Sequence, residues 1–284
     1  TGRRSNSKMK TIFRIAVFLW LGLSSLTAQQ KTWVALGDSI TYLNDHLDET
    51  AHRVSVGYMS CVVKKRSDLK YINHGYNGWT AIRVAENFEQ LNIPKADYYT
   101  VFLGTNDWWA GNAIGTLDDY RAARGTTTFF GALQKIIAAL KTLHPQAKIV
   151  LITPMQRTDF VYINNFKNIA YGSYQPKNNQ SLEAFVRAVQ AVGREENIPV
   201  LDLYHQNALR MEKLVRFKRL IDPSTGQLKD YKYPNYVGLS FRPETDPYPY
   251  PLKAIGMTYD GLHPSDQGNR WIAKKLIPIF NRFN

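Results

Sequence analysis

Thr32-Trp33-Val34-Ala35-Leu36 is a short run rich in apolar and β-favouring residues, and Gly37-Asp38-Ser39-Ile40 closes it on a tight turn. Such a run, bounded by glycine, reads as a buried strand. A serine just past it is well placed for attack, but a hydroxyl is a weak nucleophile unless an imidazole takes its proton. The imidazole in turn works best when a carboxylate holds its tautomer and stabilises the cation that forms. Both groups occur near the opposite end of the chain, in Asp260-Gly261-Leu262-His263. Ser39, His263 and Asp260 are therefore the candidate catalytic set.

Working outward, further strands are expected over Lys70–Asn73, Tyr98–Leu103, Lys148–Thr153 and Pro199–Leu203. Helices are expected between them, over His52–Arg66, Thr80–Gln90, Leu117–Leu143 and Leu182–Glu196, with a last one over Ile272–Phe280. In the fourth, Leu182, Phe185, Val186, Val189 and Val192 recur at three- and four-residue steps, which makes one apolar face. The long third helix should stop at His144-Pro145, because proline cannot continue it and disfavours helical geometry before it. Strand-then-helix alternation with nearly continuous apolar strands predicts an α/β fold, a parallel sheet covered on both sides. Two stretches break the rhythm: Pro154–Gln180 reads as a long loop, and Asp222–Tyr259, rich in proline and tyrosine, as an ordered lid. No repeat or interdomain linker is visible, so residues 31–284 are expected to form one domain with insertions near 154–180 and 222–259.

The motifs fall at successive strand ends. Ser39 follows the first strand, Asn73-His74-Gly75-Tyr76-Asn77-Gly78 the second, and Gly104-Thr105-Asn106-Asp107 the third. Open parallel sheets bind ligands beyond the carboxyl ends of their strands, where strand order reverses. In a flavodoxin-like order 2-1-3-4-5 that point lies between strands one and three, so Ser39 and Asn106 would flank one crevice with Gly78 at its edge. Acyl transfer also needs donors for the oxygen that becomes negative, and losing one costs ~3–4 kcal/mol of transition-state stabilisation. The candidates are the backbone N–H groups of Ser39 and Gly78 and the side-chain amide of Asn106.

Those four blocks, in that order and spanning Trp33 to His263, resemble the signature blocks of the SGNH (GDSL) hydrolase family. The resemblance implies Ser39 as nucleophile, His263 as base, Asp260 as its orienting carboxylate, and Ser39, Gly78 and Asn106 as oxyanion donors. It also implies a three-layer α/β/α sandwich and no metal or organic cofactor. Gly78 is preferred to Gly75 because Asn73-x4-Gly78-x-Thr80 fits the family spacing and Thr80 suits a helix cap.

Plainer readings stand beside these. Gly-Asp-Ser after a strand also serves as a simple turn, Asn106 as a self-satisfied turn residue, and Asp260 as the cap of the next helix. Trp79, Trp108 and Trp109 follow two of the site motifs, where flat rings suit sugar stacking or an acyl pocket, and equally suit core packing. Of the remaining histidines (His46, His52, His74, His144 and His205), none has metal-ligand spacing, and His74 is the one placed to reach the pocket. Arg210, Lys213, Arg216, Lys218 and Arg219 read as a solvated basic face, with an anionic-glycan contact as the alternative. G-x-S-x-G, G-x-G-x-x-G, P-loop and H-E-x-x-H motifs are absent.

Upstream of this region, Lys10 and Arg14, the apolar Ile15–Leu23 and the small-residue exit to Ala28 describe a secretory signal peptide, Met9–Ala28. The apolar part is short of the ~20 residues that span a bilayer. After cleavage no stable membrane span is expected, and the protein should be secreted or periplasmic. About 255 residues remain, a usual size for one α/β domain with insertions. Cys61 is the only cysteine, so no internal disulfide can form, and it reads as a buried small hydrophobe. Net charge is +13, or +8 once Arg3, Arg4, Lys8, Lys10 and Arg14 are set aside. That basicity suits acidic partners such as uronate-bearing polysaccharide or anionic lipid, beside the plainer reading of a merely solvated basic surface. Nucleic acid is not expected, since no recognition motif is present. The expected function is an exported serine esterase acting on an acylated small molecule or polysaccharide, with removal of acetyl groups from carbohydrate favoured. A lysophospholipase or short-chain lipase is the enzymatic alternative. A carbohydrate-binding protein or an acetyltransferase on the same scaffold is the alternative outside hydrolysis.

Overall fold

The computed structural model describes residues 30–283, and the expected signal segment lies outside them. In chain order the elements begin with β1 (Lys31–Gly37), α1 (Ser39–Tyr42), α2 (Tyr58–Lys65), β2 (Leu69–Gly75) and α3 (Ala81–Glu86). They continue with β3 (Tyr98–Phe102), α4 (Thr105–Ala110), α5 (Leu117–Arg121), α6 (Phe129–Leu143) and β4 (Lys148–Ile152). A hairpin of β5 (Phe160–Tyr162) and β6 (Asn165–Ala170) precedes α7 (Leu182–Glu195), β7 (Val200–Leu201) and α8 (Met211–Leu214). A second hairpin, β8 (Lys218–Ile221) with β9 (Leu228–Tyr231), and the final α9 (Asp266–Asn281) complete the chain.

β2-β1-β3-β4-β7 form one five-stranded sheet with parallel pairing throughout. This is the flavodoxin-like order expected; the fifth strand counts as seventh because the β5–β6 hairpin intervenes. Successive strand residues face opposite sides of a sheet, and the packing divides accordingly. Val34, Leu36, Tyr99, Val101, Ile149 and Leu151 pack with α3, α6 and α7. Trp33, Ala35, Tyr98, Phe102, Val150 and Ile152 pack with α2, α8 and α9. The predicted face of α7 is buried along its length, at ~1.5–3 kcal/mol per large apolar side chain. Helices on both faces make the three-layer α/β/α sandwich.

Several expected elements are corrected. Leu117–Leu143 is two helices, because Ala123 and Gly125 adopt positive φ and Thr128 starts α6 anew by accepting from the Gly131 N–H. His52–Arg66 begins as a helix only at Tyr58, since Ala51 and His52 are left-handed. There the Asn44 side-chain oxygen accepts from the N–H groups of Met59 and Ser60, which Gly57 has no side chain to cap. The last helix starts six residues early, on Ser265, whose hydroxyl accepts from the Gly268 N–H. Pro154–Gln180 holds the β5–β6 hairpin rather than loop alone. The basic stretch is not one solvated face, because Lys218 is buried on Asp159 at 2.6 Å and Arg219 pairs with Asp230. Cys61 is half-buried.

Registry delivers the site. Gly37 stands opposite both Gly75 and Phe102, so β1, β2 and β3 end level and their following loops emerge at one edge.

Candidate active site

Ser39 opens the short helix α1, and the Asp38 carboxylate caps that turn by accepting from the Ile40 N–H at 3.0 Å. Burial pushes the Asp38 carboxyl up to about 6. Asn73 secures the turn from the neighbouring strand: its amide donates to the Thr41 carbonyl, and its oxygen accepts from the Gly75 N–H. Although 224 residues apart in sequence, Ser39 Oγ and His263 Nε2 lie 2.8 Å apart. His263 Nδ1 is 2.7 Å from Asp260 Oδ2. Because a carboxylate only accepts, the hydrogen sits on Nδ1, and Nε2 is left to receive the serine proton.

Asp260 is fully buried, and its other oxygen accepts from the backbone N–H groups of Leu262 and His263. The following helix is capped by Ser265, so capping α9 is not the part Asp260 plays. Gly261 makes this tight loop possible, with φ +93° and a position where a Cβ would collide with the Asp159 carbonyl. The Gly261 carbonyl accepts from the Thr158 N–H at 2.9 Å, which straps the imidazole loop to the segment before β5. Phe160 meets the His263 ring edge to face at 5.4 Å.

The cavity beside Ser39 Oγ has a volume of about 250 Å³ and is lined by Gly78, Asn106, Trp109, Arg157, Phe160 and His263 among others. Gly78 has φ +75° with open space where a Cβ would stand. Gly75 does not line the cavity; a Cβ there would strike the backbone at Tyr42, so its service is close packing. Asn106 Nδ2 donates to the Trp79 carbonyl at 3.0 Å, which orients the amide. Asp107, its neighbour, accepts from the Ala81 N–H at 2.8 Å and thereby ties α4 to the start of α3, just past Gly78. Thr80 caps α3 through its hydroxyl and the Arg83 N–H.

Of the four expected substrate-contacting residues only Trp109 lines this cavity. Trp108 is wholly buried and donates to the Gln180 carbonyl. Trp79 stacks on Tyr76 at 4.7 Å, and His74 Nδ1 engages the Tyr76 hydroxyl at 2.8 Å. Conversely, Asn77, Arg157, Phe160 and Asn168 line the cavity without having been singled out. Three of them lie in the segment leaving the fourth sheet strand, at the carboxyl edge where such sheets bind ligands, but position alone does not single them out from the rest of that segment. No residue of 222–259 lines the cavity; that segment backs the β5–β6 hairpin, with Tyr250 donating to the Asp159 carbonyl at 2.5 Å. Among the described residues no cluster of three His, Cys, Asp or Glu suits a metal ion, and no helix is long and apolar enough to cross a membrane.

A flavodoxin-like sheet carrying a hydroxyl, an imidazole and a buried carboxylate in hydrogen-bonding sequence at its carboxyl edge defines a hydrolase-type site. The profile of the GDSL-like lipase/acylhydrolase family matches residues 35–271, and the chain belongs to that family. Membership implies ester hydrolysis. The structure of a possible lipase from Chitinophaga pinensis DSM 2588 is similar at TM-score 0.88 and 55% identity, over 89% of this chain and 98% of that one. A protein from Lactobacillus plantarum shares the fold at TM-score 0.59 and 20% identity, over 89% and 98% of the two chains. No match was found among functionally curated proteins.

Proposed function

We propose that this protein is an exported serine esterase that removes acetyl groups from carbohydrate through an acyl-enzyme. The observation that carries the reading is the continuous contact Asp260–His263–Ser39 opening onto a cavity that Gly78 and Asn106 also line. Ser39 Oγ attacks the ester carbonyl as His263 Nε2 takes its proton, and Asp260 stabilises the imidazolium. The N–H groups of Ser39 and Gly78 and the Asn106 amide hold the oxyanion. The alcohol leaves with the proton from His263, and water then repeats the sequence on the acyl-enzyme.

Two features support a short acyl group and a polar alcohol. At about 250 Å³ the cavity is below the ~300–1,000 Å³ that buries a drug-sized ligand. Asn77, Asn168 and Trp109 at its wall suit sugar hydroxyls and ring faces. The basic signal-like segment Met9–Ala28 supports export. One observation favours a second reading, a lipid esterase: a larger, largely apolar cavity of about 510 Å³ shares Trp109, Phe160 and Ala170 with the first.

A fluorophosphonate probe should label the parent at Ser39 and leave Ser39→Ala unlabelled and inactive. Acetylated xylo-oligosaccharides and p-nitrophenyl esters of rising chain length should then show fastest turnover for acetyl. Faster cleavage of long-chain esters or lysophospholipid would replace the carbohydrate reading with the lipid one. An unlabelled parent would remove both.

A further inference from the structure

Among the described residues, Arg157 is the one Lys or Arg at the wall of the Ser39 cavity, and no Asp or Glu lines it. The residue is 1% exposed. Its backbone is pinned to the turn after β6, with the Arg157 N–H donating to Ser173 Oγ at 3.1 Å and its carbonyl accepting from the Ser173 N–H at 2.8 Å. The guanidinium donates to the Tyr171 carbonyl at 2.9 Å and lies 5.1 and 4.9 Å from the ring centres of Trp108 and Trp109. Its Nε is buried and has no hydrogen-bond partner among the described residues.

Among the described residues it also has no ion pair, and the acids around it are already engaged. Asp159 accepts from Lys218, Tyr174 and the Gly172 N–H, and Asp260 holds His263. Burial lowers the guanidinium's pKa to about 10, so it stays charged at neutral pH. A buried cation without a direct ion pair is expensive to maintain, and the charges of Asp159 and Asp260 with the faces of two indole rings offset only part of that cost. Guanidinium is the side-chain group best matched to a carboxylate.

We propose that Arg157 is a specificity-determining residue that binds a carboxylate carried by the substrate next to the scissile ester. This rests on the esterase reading and narrows it to anionic esters. The carboxylate belongs either to the alcohol, as in an acetylated uronate, or to the acyl group, as in a hemisuccinate. In both, the substrate carboxylate would pair directly with the guanidinium, which Asp159 and Asp260 favour only through their longer-range charge.

Two matched pairs test this: O-acetylated methyl glucuronoside against O-acetylated methyl glucoside, and phenyl hemisuccinate against phenyl acetate. In one pair the parent should favour the carboxylate-bearing member by about tenfold or more in kcat/KM, the worth of one hydrogen bond to a charged group. The favoured pair tells alcohol from acyl recognition. Arg157→Gln should collapse that ratio towards one, chiefly through KM, and Arg157→Lys should retain part of it. A purely structural role would leave the ratio unmoved while lowering both rates. Equal handling of both pairs by the parent, or an unchanged ratio in Arg157→Gln, overturns the inference. If Arg157→Gln does not fold, the parent's ratios and Arg157→Lys decide. Hydrolysis of neutral esters without preference would sink this inference alone. No hydrolysis of any ester, together with no fluorophosphonate label, would sink the esterase reading with it.

Discussion

On the proposed mechanism, Asn106 divides its amide between structure and chemistry. One N–H goes to the Trp79 carbonyl at 3.0 Å, which fixes the plane of the group and leaves the second hydrogen available at the cavity. The contact also joins the loop after β2 to α4, so the proposed oxyanion donors, the Gly78 N–H and the Asn106 amide, are held relative to each other. Asn106→Ala should therefore lower kcat by about 10²–10³, the usual loss for one such donor, with little change in KM. Steady-state kinetics on p-nitrophenyl acetate would read this, and near-parental kcat would remove Asn106 from the oxyanion site. Asp107 contributes one step further out, since its carboxylate serves the start of α3 and never faces the cavity lining.

The loop that carries His263 depends on the hairpin beside it. Gly261 combines a left-handed φ with contact against the Asp159 carbonyl, and its own carbonyl takes the Thr158 N–H. Gly226, at the turn between β8 and β9, has a similar φ of +71° but open space around it. Alanine at Gly226 should cost about 1–2 kcal/mol, the steric price of left-handed backbone. Gly261→Ala should cost more, because the loop must move as well, and activity should fall with stability as His263 leaves Ser39. Thermal unfolding of the two variants side by side gives the comparison. Equal losses, with Gly261→Ala fully active, would show that the close approach to the hairpin does not matter.

Over the whole molecule, buried and exposed carboxyls impose opposite pH slopes. Burial raises Asp38 and Asp107 to about 6, against an ordinary 3.8. Between about pH 4 and 6 the folded state thus holds protons that the unfolded state has lost, so their contribution is present in acid and lost as pH rises. Asp68 and Glu195 are shifted down by Arg66 and Arg121, and their contribution disappears as pH falls; exposure keeps it small. Calorimetry across pH 4–6.5 should show a shallower decline in Tm for Asp107→Asn than for the parent, and identical slopes would contradict the raised Asp107. Much of this architecture was readable along the chain. Five apolar runs separated by amphipathic ones specified a parallel sheet, and glycines, an amide and a serine at successive strand ends marked its working edge. Period and turn chemistry are local, and local patterns survive without coordinates. The split of Leu117–Leu143 did not show, because apolar periodicity outweighed the short run Gly125-Thr126-Thr127-Thr128. Nor did the choice of Trp109 over Trp108 and Trp79, or the burial of Arg157 and Lys218. The linear order of residues thus determined the parallel sheet and the identity of the candidate catalytic groups. Only the tertiary structure decided which side chains wall the cavity, because burial and charge pairing depend on segments far apart in sequence that meet only when the chain packs.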